Sequence, residues 1–248
     1  MKFNRINIFI SFYTILFLVL VADDAFGKNY QSKEYNYSFL IPLGWEEIPK
    51  QILDDASERI ASLTKTKKIN YETGFQIAGN KNLELPYIVI PILPQYGKTL
   101  PPDILEELYK NYTSKDFPSI AEEKLESFSD YLSSFSFDLP YIDKQKQMIV
   151  VSMQGNYSGK NIRTLLAQFV GKRTIVQINY VALESDFHKY IPIFDSSISS
   201  FKFNESFIPQ EYKKNIIDKA IPNILSGIIL TIIVSAYFWY KKSSKRTK

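Results

Sequence analysis

The chain has a single histidine, His188, and no cysteine, so the residue types that most often do chemistry are nearly absent. One imidazole cannot supply a His-pair zinc site or any multi-histidine centre. The missing thiols exclude cysteine nucleophiles, Cys-zinc sites, disulfides and a Cys-linked lipid anchor. A serine triad would need His188 together with an exposed nucleophile. The nearest string, Gly155-Asn156-Tyr157-Ser158-Gly159, holds its serine one place off the nucleophile-elbow spacing and reads as a loop between strands. His188 lies beside Lys189 and near Asp186 on an apolar-striped segment, which suits a solvated or hydrogen-bonded surface histidine better than a catalytic one.

The phosphate and carboxylate signals fail on spacing. Gly97-Lys98-Thr99 matches the end of a phosphate loop, but Ile92 stands where the first glycine must be, and Pro101-Pro102 postpones the helix that would hold phosphate. Glu46-Glu47, Asp54-Asp55, Glu106-Glu107 and Glu122-Glu123 are sequence neighbours. On a helix such neighbours point about 100° apart, so they make solvated faces rather than acid–base pairs. No loop alternates Asp, Asn and Gly as a calcium site requires. These residues assign no catalytic, cofactor-binding or metal-binding position and lean towards a protein that is not an enzyme. The enzymatic alternative is a hydrolase whose carboxylates, or a Ser/Lys pair, are joined only by folding.

Charge narrows the partner. The net charge is +4, but seven of the 30 basic residues sit at the ends: Lys2, Arg5, Lys241, Lys242, Lys245, Arg246 and Lys248. Of the 26 acidic residues only Asp23 and Asp24 do, which leaves 23 basic and 24 acidic residues between, a net of −1. A near-neutral domain lacks the electrostatic footprint of phosphate backbones, so no nucleic-acid partner is expected. Aromatic residues reach 15 %, and exposed ones such as Tyr96 or Tyr157, both in expected loops, are candidates for a protein interface, although ordinary loop tyrosines look the same in sequence. Asn36, Asn111, Asn156 and Asn204 each open an Asn-x-Ser/Thr sequon, which matters only in a source that glycosylates exported proteins.

The two ends give the topology. Residues 1–27 have the form of a signal peptide: Lys2 and Arg5, an apolar run from Ile6 to Ala22, then Ala25-Phe26-Gly27 with small residues at −3 and −1. Cleavage after Gly27 is expected; an uncleaved signal anchor is the alternative, since the run nearly suffices to span a bilayer. Ile221 to Tyr240 carries no charge and, as a helix, covers ~30 Å. Tyr237, Trp239 and Tyr240 lie at one boundary, and the basic tail 241–248 follows. The positive-inside rule puts that tail in the cytoplasm and residues 28–210 on the periplasmic or extracellular side.

Between the ends, apolar periodicity predicts the elements that must position any site. A strand is expected over Tyr35–Ile41 and a turn at Pro42-Leu43-Gly44. Leu53, Ala56, Ile60 and Leu63 predict a helix over roughly 50–65. Tyr71, Thr73, Phe75 and Ile77 predict a half-buried strand, and Tyr87–Leu93 a buried one with Pro91 near its end. Ile104, Leu105, Leu108, Tyr109 and Tyr112 form a helical stripe; Ser119 and Glu122 suggest a capping box for another helix through Leu132. Alternation resumes at Phe135, Phe137, Leu139 and Tyr141, and continues over Met148–Gln154. Gly171-Lys172 then reads as a two-residue hairpin turn between Arg163–Val170 and Thr174–Leu183. Phe187, Tyr190, Ile191, Phe194 and Ile198 mark a last helix, kinked at or beginning near Pro192, before a short extended Ser199–Phe203. Strand runs mixed with helical blocks predict an α+β fold, an antiparallel sheet flanked by helices, as one domain.

The opening Tyr37-Ser38-Phe39-Leu40-Ile41-Pro42-Leu43-Gly44-Trp45 and the closing Ser200-Phe201-Lys202-Phe203 resemble the ends of exported PsbP-like domains, including those of DcrB and LpqN type. That resemblance brackets nearly the whole span between the apolar ends. It implies an α/β/α sandwich and a role in binding or accessory assembly rather than catalysis; no cofactor is expected from the residues themselves. The function expected is therefore a membrane-anchored exported protein that engages an envelope protein; a carrier with an apolar cavity between sheet and helices is the other non-enzymatic alternative.

Overall fold

The computed structural model describes residues 27–64, 68–93, 100–101, 103–115, 117, 132–157 and 159–204. The expected signal peptide, the capping-box helix after Ser119, Tyr96, the segment Gly97-Lys98-Thr99 and the apolar run Ile221–Tyr240 lie outside these residues. Among the described residues no helix is long and apolar enough to cross a membrane.

The chain runs β1 (Asn29–Ser32), β2 (Tyr37–Leu40), β3 (Trp45–Glu47), α1 (Lys50–Thr64), β4 (Tyr71–Ile77), β5 (Tyr87–Pro91), α2 (Ile104–Tyr112), β6 (Leu132–Phe137), β7 (Tyr141–Asp143), β8 (Met148–Tyr157), β9 (Lys160–Val170), β10 (Ile175–Leu183), α3 (Glu184–Ser200) and β11 (Lys202–Phe203). Every strand pairing among them is antiparallel. The large sheet has the order β3-β4-β5-β10-β9-β8-β6, with β7 also on β8; β1-β2-β11 form a separate small sheet.

The α+β class stands, with one change. A single sheet between helices was expected, but the small sheet shares one face of the large sheet with α3. On that face Tyr37, Phe39, Phe187, Phe194 and Ile198 pack with Ile88, Ile178 and Tyr180. On the other, Leu53, Ala56 and Ile60 of α1 and Ile104, Leu105 and Leu108 of α2 pack with Tyr87, Val89, Ile149 and Val151. Each fully buried Leu, Ile or Phe contributes about 1.5–3 kcal/mol by leaving water. The strands at the start escape sequence reading because β1 and β3 are only four and three residues long, too short to display a period.

Local departures have local causes. The β4–β5 register slips between Tyr71 and Thr73, so Tyr71 joins the α1 side while Phe75 joins the other, and β4 is buried on both faces rather than one. The helix α3 begins at Glu184 and runs through Pro192 instead of starting there. A mid-helix proline costs roughly 3 kcal/mol, which the buried Phe187 before it and Phe194 and Ile198 after it offset. The turn lies one residue later than expected: the Gly171 amide donates to the Thr174 carbonyl at 2.8 Å, which leaves Lys172 and Arg173, not Gly171 and Lys172, as the two turn residues. A Cβ on Gly171 would lie 2.9 Å from the Phe203 ring, so the glycine makes room for β11.

The two family-like ends meet. Ser38 pairs with Lys202 and Tyr37 with Phe203. Phe201 stacks on Phe169 at 3.7 Å between centroids and on Tyr37 at 5.2 Å. Ser200 Oγ accepts from the Leu40 amide at 2.8 Å. At Gly44, φ is +77°, a conformation that L side chains rarely adopt, and the turn carries the chain from the small sheet into β3.

Candidate functional site

On the α3 face of the large sheet, β8 and β9 change character along their length. Outward from one end the facing pairs are Met148↔Phe169, Val150↔Ala167, Ser152↔Leu165, Gln154↔Arg163 and Asn156↔Asn161. The apolar pairs lie in the cluster with α3, and the polar ones begin where α3 itself begins, at Glu184. Because side chains alternate in a strand, this one face passes from core to surface without any break in pairing. At the far end β6 adds Ser134 opposite Asn156 and Ser136 opposite Gln154.

Two polar rows therefore cross three strands, Ser134–Asn156–Asn161 and Ser136–Gln154–Arg163. All of these but Arg163 line a half-open cleft of about 330 Å³, with Glu184 at its side. Gln154 Nε2 donates to Ser136 Oγ at 2.9 Å, and Asn156 Nδ2 donates to Asn161 Oδ1 at 2.8 Å. Arg163 is fixed from two directions: Nη2 donates to Asp138 Oδ2 at 3.2 Å, and Nε lies 3.3 Å from Glu184 Oε2. Its guanidinium also lies 5.5 Å from the centroid of the Phe187 ring, within cation–π range. The arginine thus stands next to the cleft, paired with two carboxylates, of which only Asp138 accepts a hydrogen bond from it.

Beyond Asp138 the chain exposes two large side chains, Leu139 at 86 % and Tyr141 at 61 %. Their alternation with Phe135 and Phe137 predicts one continuous strand, and the structure corrects that. The strand β6 stops at Phe137, and Pro140, which has no N–H to donate, separates it from β7. Tyr141 faces Val150 in register, on the same side of the sheet as Gln154. Tyr141 and the polar rows share the edge of the sheet beyond β8, with Val150 and Gln154 four residues apart, and apolar area with directional polar groups is the composition of a protein interface. The sequence signal that could have found it was the loss of apolar residues along alternate positions of β8 and β9.

The residues weighed for catalysis are not gathered here. His188 is exposed on α3. Glu46 accepts from the Gly79 amide, Glu47 from Thr73, and Asp54 pairs with Lys50. Tyr157, expected in a loop, is buried at the end of β8, because Gly155–Tyr157 continue the strand to the connection that holds Gly159. Among the described residues no group of three or more His, Cys, Asp or Glu side chains is arranged to hold a metal ion. A second, more apolar groove of about 340 Å³ lies between the Leu40–Leu43 turn and Pro192, Ile193 and Ser196 of α3.

No protein-family model and no curated protein matches the chain. Among solved structures it is similar to the cyanobacterial PsbP (CyanoP) of Synechocystis sp. PCC 6803, with 13 % identity and a TM-score of 0.44, over 71 % of this chain and 92 % of that one.

Proposed function

We propose that this protein is a PsbP-like, membrane-anchored exported domain that binds an envelope protein through the β6–β8–β9 face and does not act as an enzyme. The observation that carries the reading is the exposure of Leu139 and Tyr141 at the sheet edge whose far part carries the polar cleft. Side chains this exposed add little to the fold's own core, and a partner that covered them would take their apolar surface out of water. Support for the family comes from the paired ends, Tyr37–Trp45 and Ser200–Phe203; support for export and anchoring comes from residues 1–27 and 221–240 in the sequence.

The test is affinity capture of the full chain from its own membranes, compared with a Leu139→Ser/Tyr141→Ser variant. One defined envelope protein is expected with the unaltered chain and is lost with the variant. Equal capture by both, or no specific protein with either, rejects the reading. The apolar groove at Leu43 and Pro192 favours a second reading, a carrier of a small apolar ligand. Lipid that co-purifies with the unaltered chain and is lost on Ile193→Asp would support it.

A further inference from the structure

The described chain ends at Asn204, whose amide donates to the Asn36 carbonyl at 2.9 Å. This end of the molecule gathers several connections. The Phe203 ring sits over Gly171 in the β9–β10 connection, and the Val170 amide donates to the Gln147 carbonyl of the β7–β8 turn at 2.8 Å. Lys146, Lys172 and Arg173 lie on those connections and Lys202 on β11. Lys146, Arg173 and Lys202 are exposed, and Lys172 is half-buried. None of the four has an ion-pair partner among the described residues.

The carboxylates nearby do not neutralise them. Glu106 holds Lys144 at 2.8 Å, and Asp143 Oδ1 accepts from the amides of Gln145 and Lys146, both at 3.0 Å. Glu34 stands next to Lys33 in the β1–β2 turn, and Asp103 and Glu107 belong with α2 on the opposite face from β11. The cleft with Gln154 and Asn156 is at the other end of β8, roughly 25 Å away at ~3.3 Å per residue.

We propose that Lys146, Lys172, Arg173 and Lys202 seat the domain on an anionic lipid surface, which presents the β6–β8–β9 cleft away from the bilayer. This rests on reading Ile221–Tyr240 as a transmembrane helix; the described chain ends at Asn204, within the cationic end, 16 residues before that segment. Anionic headgroups attract juxtamembrane lysine and arginine over about a Debye length, roughly 8 Å in physiological salt. Four cations with no ion-pair partner among the described residues, gathered at one end, convert a tether into a preferred orientation.

The chain lacks cysteine, so one fluorophore can be placed at Gln145→Cys, in the cationic end, or at Ala78→Cys, in the turn after β4 at the far end. The full chain is reconstituted into vesicles of phosphatidylcholine, alone or with phosphatidylglycerol, that carry a headgroup nitroxide. In the anionic vesicles the label at 145 is quenched and the label at 78 is not. That difference is lost in phosphatidylcholine alone, in ~1 M salt, where the Debye length is about 3 Å, and in a K146Q/R173Q/K202Q variant whose circular dichroism is unchanged. Equal quenching at both positions, or quenching at 145 that ignores salt and lipid charge, overturns the seating. A chain that alkaline carbonate strips from the vesicles overturns the anchor reading and the seating with it. A chain that resists stripping but shows equal quenching overturns the seating alone.

Discussion

Tyr37 donates a 2.6 Å hydrogen bond to Glu72, and that bond ties the small sheet to the large one at its irregular corner. Glu72 is the residue that the β4–β5 register skips, and Tyr30 donates to its other carboxylate oxygen at 3.1 Å. Around this clasp the Tyr30 and Phe39 rings meet Phe75 edge-on at 5.4 and 5.8 Å. Without β11 and the clasp, β1 and β2 would be a lone hairpin, which is marginal in water. Glu72→Gln and Tyr37→Phe should each lower stability to denaturant by about 1–3 kcal/mol. The double variant should cost less than the sum, because Glu72→Gln takes the charge from the bond that Tyr37→Phe removes.

Alkaline stability follows from the same phenols. Burial, reinforced by Glu72, pushes Tyr30 and Tyr37 above the ordinary tyrosine value of 10.0. Burial with Glu34 nearby pushes Tyr35 up to about 12, and burial raises Tyr112 and Tyr180. A pKa raised in the folded state means that the unfolded chain loses its proton first. The stabilisation is complete below pH 10 and declines as pH climbs above it. Tyrosinate absorbance should show these phenols ionising only together with unfolding; their free titration near pH 10 in a folded protein would contradict it.

Gly171 is a space requirement rather than a turn requirement. Gly171→Val drives a side chain into Phe203 and should cost about 1–3 kcal/mol by overpacking. Hydrogen exchange should then speed up in β11 and β2 before it does in β8.

A buried polar chain crosses the other face. Tyr112 OH donates to Gln168 Oε1 at 3.2 Å, Gln168 Nε2 to Gln177 Oε1 at 2.9 Å, and Gln177 Nε2 to Asn179 Oδ1 at 2.8 Å. Gln177 is the central link and is fully buried. Gln177→Ala strands its neighbours and opens a void, so a loss on the order of 2–4 kcal/mol is expected in thermal or denaturant unfolding.

Much of the core was legible because burial imposes a period. The stripe Leu53, Ala56, Ile60 of α1 and the run Tyr87–Pro91 lie where the pattern puts them. Three of the misreadings share one cause: the deciding contact is remote in sequence. Gly171 answers to Phe203, the face of Tyr71 answers to a slip against Pro91, and α3 survives Pro192 because Phe187 and Phe194 are anchored by the sheet. The cleft was hidden for the same reason. Ser134, Gln154, Asn161 and Glu184 come from four elements, and no spacing rule links them.

The interface face should be dispensable for folding. Exposed substitutions away from caps and cores usually stay within about 0.5 kcal/mol, so Leu139→Ser/Tyr141→Ser should unfold like the unaltered chain while losing its partner.

Site-specific photocrosslinking of the full chain in its native membrane tests the binding face most directly. A photoreactive residue at Gln154 or Tyr141, within the face, should capture one and the same envelope protein; at Glu58, exposed on α1 across the sheet, it should not. Capture of that protein equally from Glu58, or of none from Gln154 and Tyr141, would contradict the account.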